Sequence, residues 1–184
     1  IPWSDWSSDV CSSDLANSVS EFTFGLILGL IRRIAADSHA LRSGRYLGPA
    51  KENVLELDPQ QDVVWFMPDG SSPMLEYGGG FELYGRTLGL IGFGAIGRRV
   101  GHTAKQGFGM HVQVYDPYCP AEAIESCGCE KAELSQVLST SDIVSVHLPV
   151  NAETRGIFDA SWFAQMKSTR SEERRVGKEC RSRW

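Results

Sequence analysis

The sequence predicts an α/β domain, a doubly wound parallel sheet preceded by a long helix. Three observations predict it. Short apolar runs, "TLGLIGF", "MHVQVYD" and "DIVSVHLPV", alternate with helical segments, "AIGRRVGHTAKQGFG", "KAELSQVLSTS" and "DASWFAQMK". Their connections are short, and such alternation places helices on both faces of a parallel sheet. Ahead of them Val19, Phe22, Leu26, Leu30 and Ile34 recur at three- and four-residue spacing, the period of a helix with one apolar face.

The elements follow in order. The first helix is expected from Ala16 to about Leu41, capped by Asn17 or Ser18, with Glu21 in its first turn and Gly44 as its stop. Residues 46–80 are Gly/Pro-rich and read as a long connection or insertion. Inside it "DVVWFM", "PDGS" and "SPMLEY" suit a hairpin, and "GGG" at Gly78–Gly80 marks the end. Leu88–Ile91 is a buried strand, the following helix closes on Gly107 and Gly109, and "MHVQVYD" is the next strand. A Pro-broken loop leads to the helix in "KAELSQVLSTS" and the strand in "DIVSVHLPV"; Asp159 caps the last helix.

Composition excludes several classes. With 42% hydrophobic and 22% charged residues the chain has enough apolar side chains for a core. A net charge of -5 argues against a nucleic-acid partner, because phosphate binding draws on clustered Lys and Arg. No membrane partner is expected either: "FTFGLILGLI" stops after ten residues at Arg32 and Arg33, too few to span a bilayer. Five cysteines without a secretory signal point to reduced thiols and a cytoplasmic setting. "CGC" at Cys127–Cys129 lacks a second ligand cluster, so no metal is expected.

The chemistry sits in "GLIGFGAIGRRV", where Gly92, Gly94 and Gly97 form G-x-G-x-x-G. The spacing alone is weak, but here it lies between a buried strand and a helix. An acid, Asp116, ends the next strand nineteen residues after Gly97. That context is the Rossmann-type dinucleotide fingerprint. Gly92 permits the tight turn, Gly94 lets a pyrophosphate approach the backbone, and Gly97 lets the helix lie close to the strand. The helix start around Ala95 and Ile96 offers free N–H groups and a positive dipole end to phosphates, and Phe93, inside the motif, is expected among the cofactor-binding residues. Asp116 accepts from both adenosine ribose hydroxyls and repels a 2′-phosphate, which favours NAD over NADP. Arg98 and Arg99, on the first turns of the helix, read as a solvated face. A methyltransferase is the rival on this topology, but it usually places an acid just before G-x-G. Here Leu90 and Ile91 stand there, and the third glycine falls inside the helix.

"ANSVSEF", "GLILGLIRRI", "GRTLGLIGFGAIGRRV", "GFGMHVQVYDP", "SDIVSVHLPVNAETRGIFD" and "FAQMK", in that order, resemble the D-isomer-specific 2-hydroxyacid dehydrogenases over nearly all of residues 16–169. The resemblance implies an NAD-binding domain fragment of an oxidoreductase that moves a hydride between NAD(H) and a D-2-hydroxy acid or 2-keto acid. It places pyrophosphate and ribose at Gly92–Gly97 and Asp116–Pro117. His147, Leu148 and Pro149 become a wall of the cofactor pocket, and Thr154 a contact from the next loop. Asn17 matches a hinge that borders the substrate. A cytoplasmic homodimer is implied, built partly through the long helix. In the family an Arg of an Asn-x-Ala-Arg-Gly motif holds the substrate carboxylate, and a His paired with a Glu takes the proton. These are expected beyond Thr169, and the substrate domain ahead of "ANSVSEF", so the chain as given is expected to be inactive. A non-catalytic NAD(H)-sensing co-repressor on the same fold is the alternative.

The ends read differently from this domain. Residues 170–184 carry six Lys or Arg against three Glu, reversing the acidic balance of residues 16–169. Ser12–Leu15 can be written TCT TCC GAT CT, whose reverse complement AGATCGGAAGA reads Arg-Ser-Glu and then Glu or Asp, the start of the tail at Arg170–Glu173. Residues 1–15 and 170–184 are therefore expected to be translated sequencing adapters, disordered and outside the domain.

Overall fold

The structure is a computed structural model and describes residues 8–43 and 80–167. The expected hairpin and most of the 46–80 connection lie outside the described residues. The chain divides into two units, Ile1–Phe24 with Leu83–Trp184, and Gly25–Glu82.

Two helices, α1 (Ser8–Ile31) and α2 (Ile34–Arg42), replace the single helix expected from Ala16 to Leu41. The ladder breaks at Arg33, whose φ of 55° is left-handed. Its carbonyl restarts the helix by accepting from Asp37 N–H at 3.0 Å. At the other end, α1 begins at Ser8, ahead of the expected start at Ala16. Extending an existing helix adds one hydrogen bond per residue with no second nucleation cost, which lets a polar Ser/Asp segment join it. Asn17 and Ser18 are thus interior positions and not caps.

The buried stripe is also displaced. Ala16, Ser20, Phe24, Ile27 and Ile31 are buried, whereas Phe22 and Leu26 are exposed. The segment is apolar on more than one side, so spacing alone leaves the register open; packing decides it. Phe24 stacks on Phe108 with ring centroids 5.0 Å apart.

The sheet belongs to the first unit. Its strands are β1 (Thr87–Ile91), β2 (His111–Tyr115), β3 (Glu130–Lys131) and β4 (Ile143–Val146). They are parallel, in the order β3-β2-β1-β4. The helices are α3 (Ala95–Phe108), α4 (Ala121–Glu125), α5 (Leu134–Thr140) and α6 (Ala160–Gln165). α4 falls in the expected Pro-broken loop, and β3 takes the end of that loop with Lys131, the first residue of the expected helix, which starts instead at Leu134. Both are short, and β3's two residues are exposed, so neither leaves a period in the sequence.

β1 is central, and its alternation assigns each face. Leu90 points at α3, where a Cβ on Gly101 would lie 3.2 Å from its Cδ1. Gly89 and Ile91 face the other way. Ile91 joins Val137, Leu138 and Trp162 in a core that includes α5 and α6. Gly89 is needed for that packing, since a Cβ there would meet Ser141 Oγ at 2.3 Å. α3 ends at Gly109, left-handed at φ 62°, whose N–H donates to Lys105 O at 3.2 Å while Met110 N–H donates to Ala104 O at 3.1 Å. No helix among the described residues is long and apolar enough to cross a membrane.

Candidate functional site

Ile91 pairs with Tyr115 on one side and Val146 on the other, so β1, β2 and β4 end side by side. The chain leaves them at Gly92, Asp116 and His147. Ligands of open parallel sheets sit at this carboxyl edge, where neighbouring strands lead off in different directions.

The three glycines answer three different demands. Gly92 has φ 96°, and a Cβ there would lie 2.6 Å from His147 O. Its N–H donates to Tyr115 O at 2.9 Å. Gly97 is required by packing, because its Cβ would lie 2.3 Å from Gly92 O. Gly94 is required by neither. Its backbone is ordinarily extended, at φ -73° and ψ -162°, and a Cβ there would have no heavy atom within 4 Å. The space above Gly94 is open to something outside the chain.

Gly94 is also the N-cap of α3. No side chain caps this end and the first turn carries no acid, so the positive dipole end is not neutralised there. Ala95 beside it is exposed and Ile96 half-buried. A backbone without side-chain bulk at an uncapped helix N-terminus suits a phosphate. The Phe93 side chain takes another path and is 2% exposed, in the core.

Asp116 holds the turn from below. Oδ2 accepts from Phe93 N–H at 2.7 Å; Oδ1 accepts from Tyr118 N–H at 2.9 Å and Cys119 N–H at 3.0 Å. A carboxylate has about four acceptor directions, and three are used here. Pro117, exposed, turns the chain away between them.

Arg98 is exposed, as a solvated face requires, yet it also has partners within the fold. Its Nε donates to Phe93 O at 3.2 Å and its guanidinium lies over the Phe93 ring, 5.2 Å from the centroid. A further guanidinium nitrogen is 3.5 Å from Cys119 Sγ. Sequence spacing puts Arg98 on the helix's outer turn; only the fold brings the Phe93 carbonyl and Cys119 to it.

His147 is fixed from both ends. Its N–H donates to Ile91 O at 2.8 Å, and its ring Nε2 is 2.9 Å from Ser145 Oγ. Burial pushes its pKa below the ordinary 6.5, which favours a neutral ring. Ser145 had no signal beyond its place on the strand. Leu148 Cδ2 lies 3.2 Å from the Cβ position of Gly92, so His147 and Leu148 wall the glycine turn.

Thr154 is bound into its own loop. Its hydroxyl donates to Pro149 O and accepts from Asn151 N–H at 2.9 Å. Asn151 Oδ1 accepts from the N–H groups of Glu153 and Thr154, both at 2.9 Å, an Asx turn. Asn17 lies exposed in the middle of α1. Among the described residues, no three His, Cys, Asp or Glu side chains are grouped to hold a metal ion.

Comparison with known proteins matches this geometry to a family. Residues 24–171 match the D-isomer specific 2-hydroxyacid dehydrogenase, NAD binding domain. A glyoxylate reductase of Aeropyrum pernix is 34% identical over 155 residues, covering 84% of this chain and 40% of that protein. A D-3-phosphoglycerate dehydrogenase of Methanocaldococcus jannaschii is 34% identical over 151 residues, covering 82% of this chain and 24% of that protein. Among solved structures, the apo D-lactate dehydrogenase of Escherichia coli superimposes with a TM-score of 0.60 at 31% identity, over 83% of this chain and 40% of that one. The apo D-mandelate dehydrogenase of Rhodotorula graminis gives 0.64 at 28% identity, over 85% and 39%. The chain thus spans about two fifths or less of the length of these relatives. The family match decides between the dinucleotide and methyltransferase readings. The chain belongs to the D-isomer specific 2-hydroxyacid dehydrogenases, whose NAD-binding domain it carries.

Proposed function

We propose that the complete protein transfers a hydride between NAD(H) and a small D-2-hydroxy acid or its 2-keto acid. The open position at Gly94 carries the reading. A glycine that neither backbone nor packing requires, at an uncapped helix N-terminus, makes sense where a pyrophosphate lies against the main chain. The residues present fit that group. Gly94, Ala95 and Ile96 would hold the phosphates through backbone N–H groups, and the remaining acceptor direction of Asp116 would take a ribose hydroxyl. His147, Leu148 and Pro149 would wall the cofactor, with the neutral His147 ring adding no charge beside it. Bound NAD supplies the site that accepts or donates the hydride.

Transfer also needs a cation for the substrate carboxylate and a group for the hydroxyl proton. The 184 residues contain no Asn-x-Ala-Arg-Gly. His147, neutral and engaged with Ser145, is here a wall rather than the proton acceptor. The chain by itself is accordingly proposed to bind NAD weakly and to turn nothing over.

The substrate class rests on the relatives' own names, which point to glyoxylate, phosphoglycerate, lactate and mandelate. The test is NADH oxidation by the complete protein with glyoxylate, pyruvate, hydroxypyruvate and phosphohydroxypyruvate in parallel. NADH consumption with one of them is expected. Tight NADH binding without consumption of any 2-keto acid would move the reading to a cofactor sensor, and turnover by the 184-residue chain alone would overturn its proposed inactivity.

A further inference from the structure

Two consecutive peptide planes form the floor of the glycine turn, and each is gripped by one side chain. The Gly92–Phe93 peptide has its N–H on Asp116 Oδ2 at 2.7 Å. The Phe93–Gly94 peptide has its carbonyl on Arg98 Nε at 3.2 Å. In a planar trans peptide the N–H points opposite to the C=O. Holding Phe93 O on Arg98 therefore turns the Gly94 N–H away from that side chain, and a Cβ on Gly94 would meet nothing within 4 Å. The other plane obeys the same rule: with Phe93 N–H on Asp116, Gly92 O is turned toward α3, where it abuts Gly97.

We propose that Arg98 is a positioning residue for the cofactor's pyrophosphate, acting through the Phe93–Gly94 peptide. Glycine at 94 makes this lock necessary. A residue without Cβ leaves its peptide free to rotate, and a flip of the Phe93–Gly94 plane would aim a carbonyl oxygen, partly negative, at the phosphates in place of a donor. Arg98 opposes the flip with a charge-assisted hydrogen bond, and its stacking over the Phe93 ring holds the guanidinium in place. The contact to Cys119 Sγ steadies the same group against the loop that Asp116 organises. Asp116 and Arg98 thus clamp the Phe93 residue from its N–H and C=O sides. Arg99, one position on, is exposed and offers a control of equal charge in the same turn.

The inference rests on the NAD reading above, and the test separates the two. NADH affinity is measured on the complete protein as wild type, Arg98→Met, Arg98→Lys and Arg99→Met, with free adenosine as a probe lacking phosphates. Methionine keeps much of the stem over Phe93 and removes donor and charge. Arg98→Met is expected to raise the NADH Kd by about tenfold, the scale of one charge-assisted hydrogen bond. Arg98→Lys, which can still donate to Phe93 O, should recover part of the loss, Arg99→Met should change Kd by less than about twofold, and adenosine affinity should not move in Arg98→Met. Equal losses in Arg98→Met and Arg99→Met would reduce the effect to general charge attraction and overturn the clamp. A parallel loss of adenosine affinity would overturn it too, since that marks damage to the domain rather than to one peptide. A wild-type protein that does not bind NADH would overturn the cofactor reading and the clamp with it, whereas wild-type binding with unchanged Arg98→Met overturns the clamp alone.

Discussion

Gly94 and Gly97 stand three residues apart in one motif, yet the structure gives them opposite roles, and substitution should separate them. A Cβ on Gly94 meets nothing, while one on Gly97 would sit 2.3 Å from Gly92 O. Gly94→Ala should therefore leave the melting temperature of the ligand-free protein unchanged and weaken NADH binding by tenfold or more (~1.4 kcal/mol). Gly97→Ala should cost about 1–3 kcal/mol of stability, as overpacking does; thermal unfolding and NADH titration of both variants check the pair. His147 makes a pH prediction. Burial lowers its folded pKa below 6.5, so the folded state holds fewer protons than the unfolded one as pH falls. Its contribution to stability is present above 6.5 and is lost as pH falls below it, through the folded value. Denaturant unfolding across that window should show a shallower fall for His147→Gln than for wild type. Equal slopes would mean that the ring is not desolvated. At this scale the spacing of the glycines and of Asp116 was legible in the sequence, while the reason for each differs: close backbone approach at Gly92 and Gly97, open space at Gly94, and the Phe93 N–H at Asp116. Arg98 was not, because its partners, Phe93 O and Cys119, are brought to it only by the turn and by the loop after β2.

Among elements, the contact between α5 and β1 decides how close the helix layer lies to the sheet. At Gly89 a Cβ would meet Ser141 Oγ at 2.3 Å and Val137 Cγ1 at 2.7 Å, so α5 rests on bare strand backbone. Gly89→Ala should cost about 1–3 kcal/mol by forcing the helix off the strand. Adding Ser141→Ala removes the nearest clashing atom and should return part of that cost, a coupling a double-mutant cycle reads directly. Additive losses would show that the two residues do not share the contact. The order strand, helix, strand was legible at this scale, since β1, α3 and β2 each exceed one period of their pattern. α4 and β3 were not: five and two residues are too few to repeat. The break between α1 and α2 was missed because Arg33 adopts a left-handed conformation, unusual for a non-glycine, and no glycine or proline announces it.

For the whole molecule, the dinucleotide reading predicts linkage. If NADH binds the folded protein alone, a concentration about a hundred times its Kd should add about 2.7 kcal/mol to stability. A raised melting temperature with NADH and none with S-adenosylmethionine is expected of the complete protein; the reverse would contradict the assignment. The sequence by itself determined the fold class, the glycine turn and the choice of NAD. Each follows from short-range facts: a period, a glycine where a Cβ is excluded, an acid at the end of a strand. Tertiary structure decided which face of α1 is buried, that Arg98 reaches Cys119, and that Asp116 holds the Phe93 N–H. The last two join residues more than twenty apart in the chain, which meet only when the sheet sets the ends of β1 and β2 side by side, and no local spacing encodes that meeting.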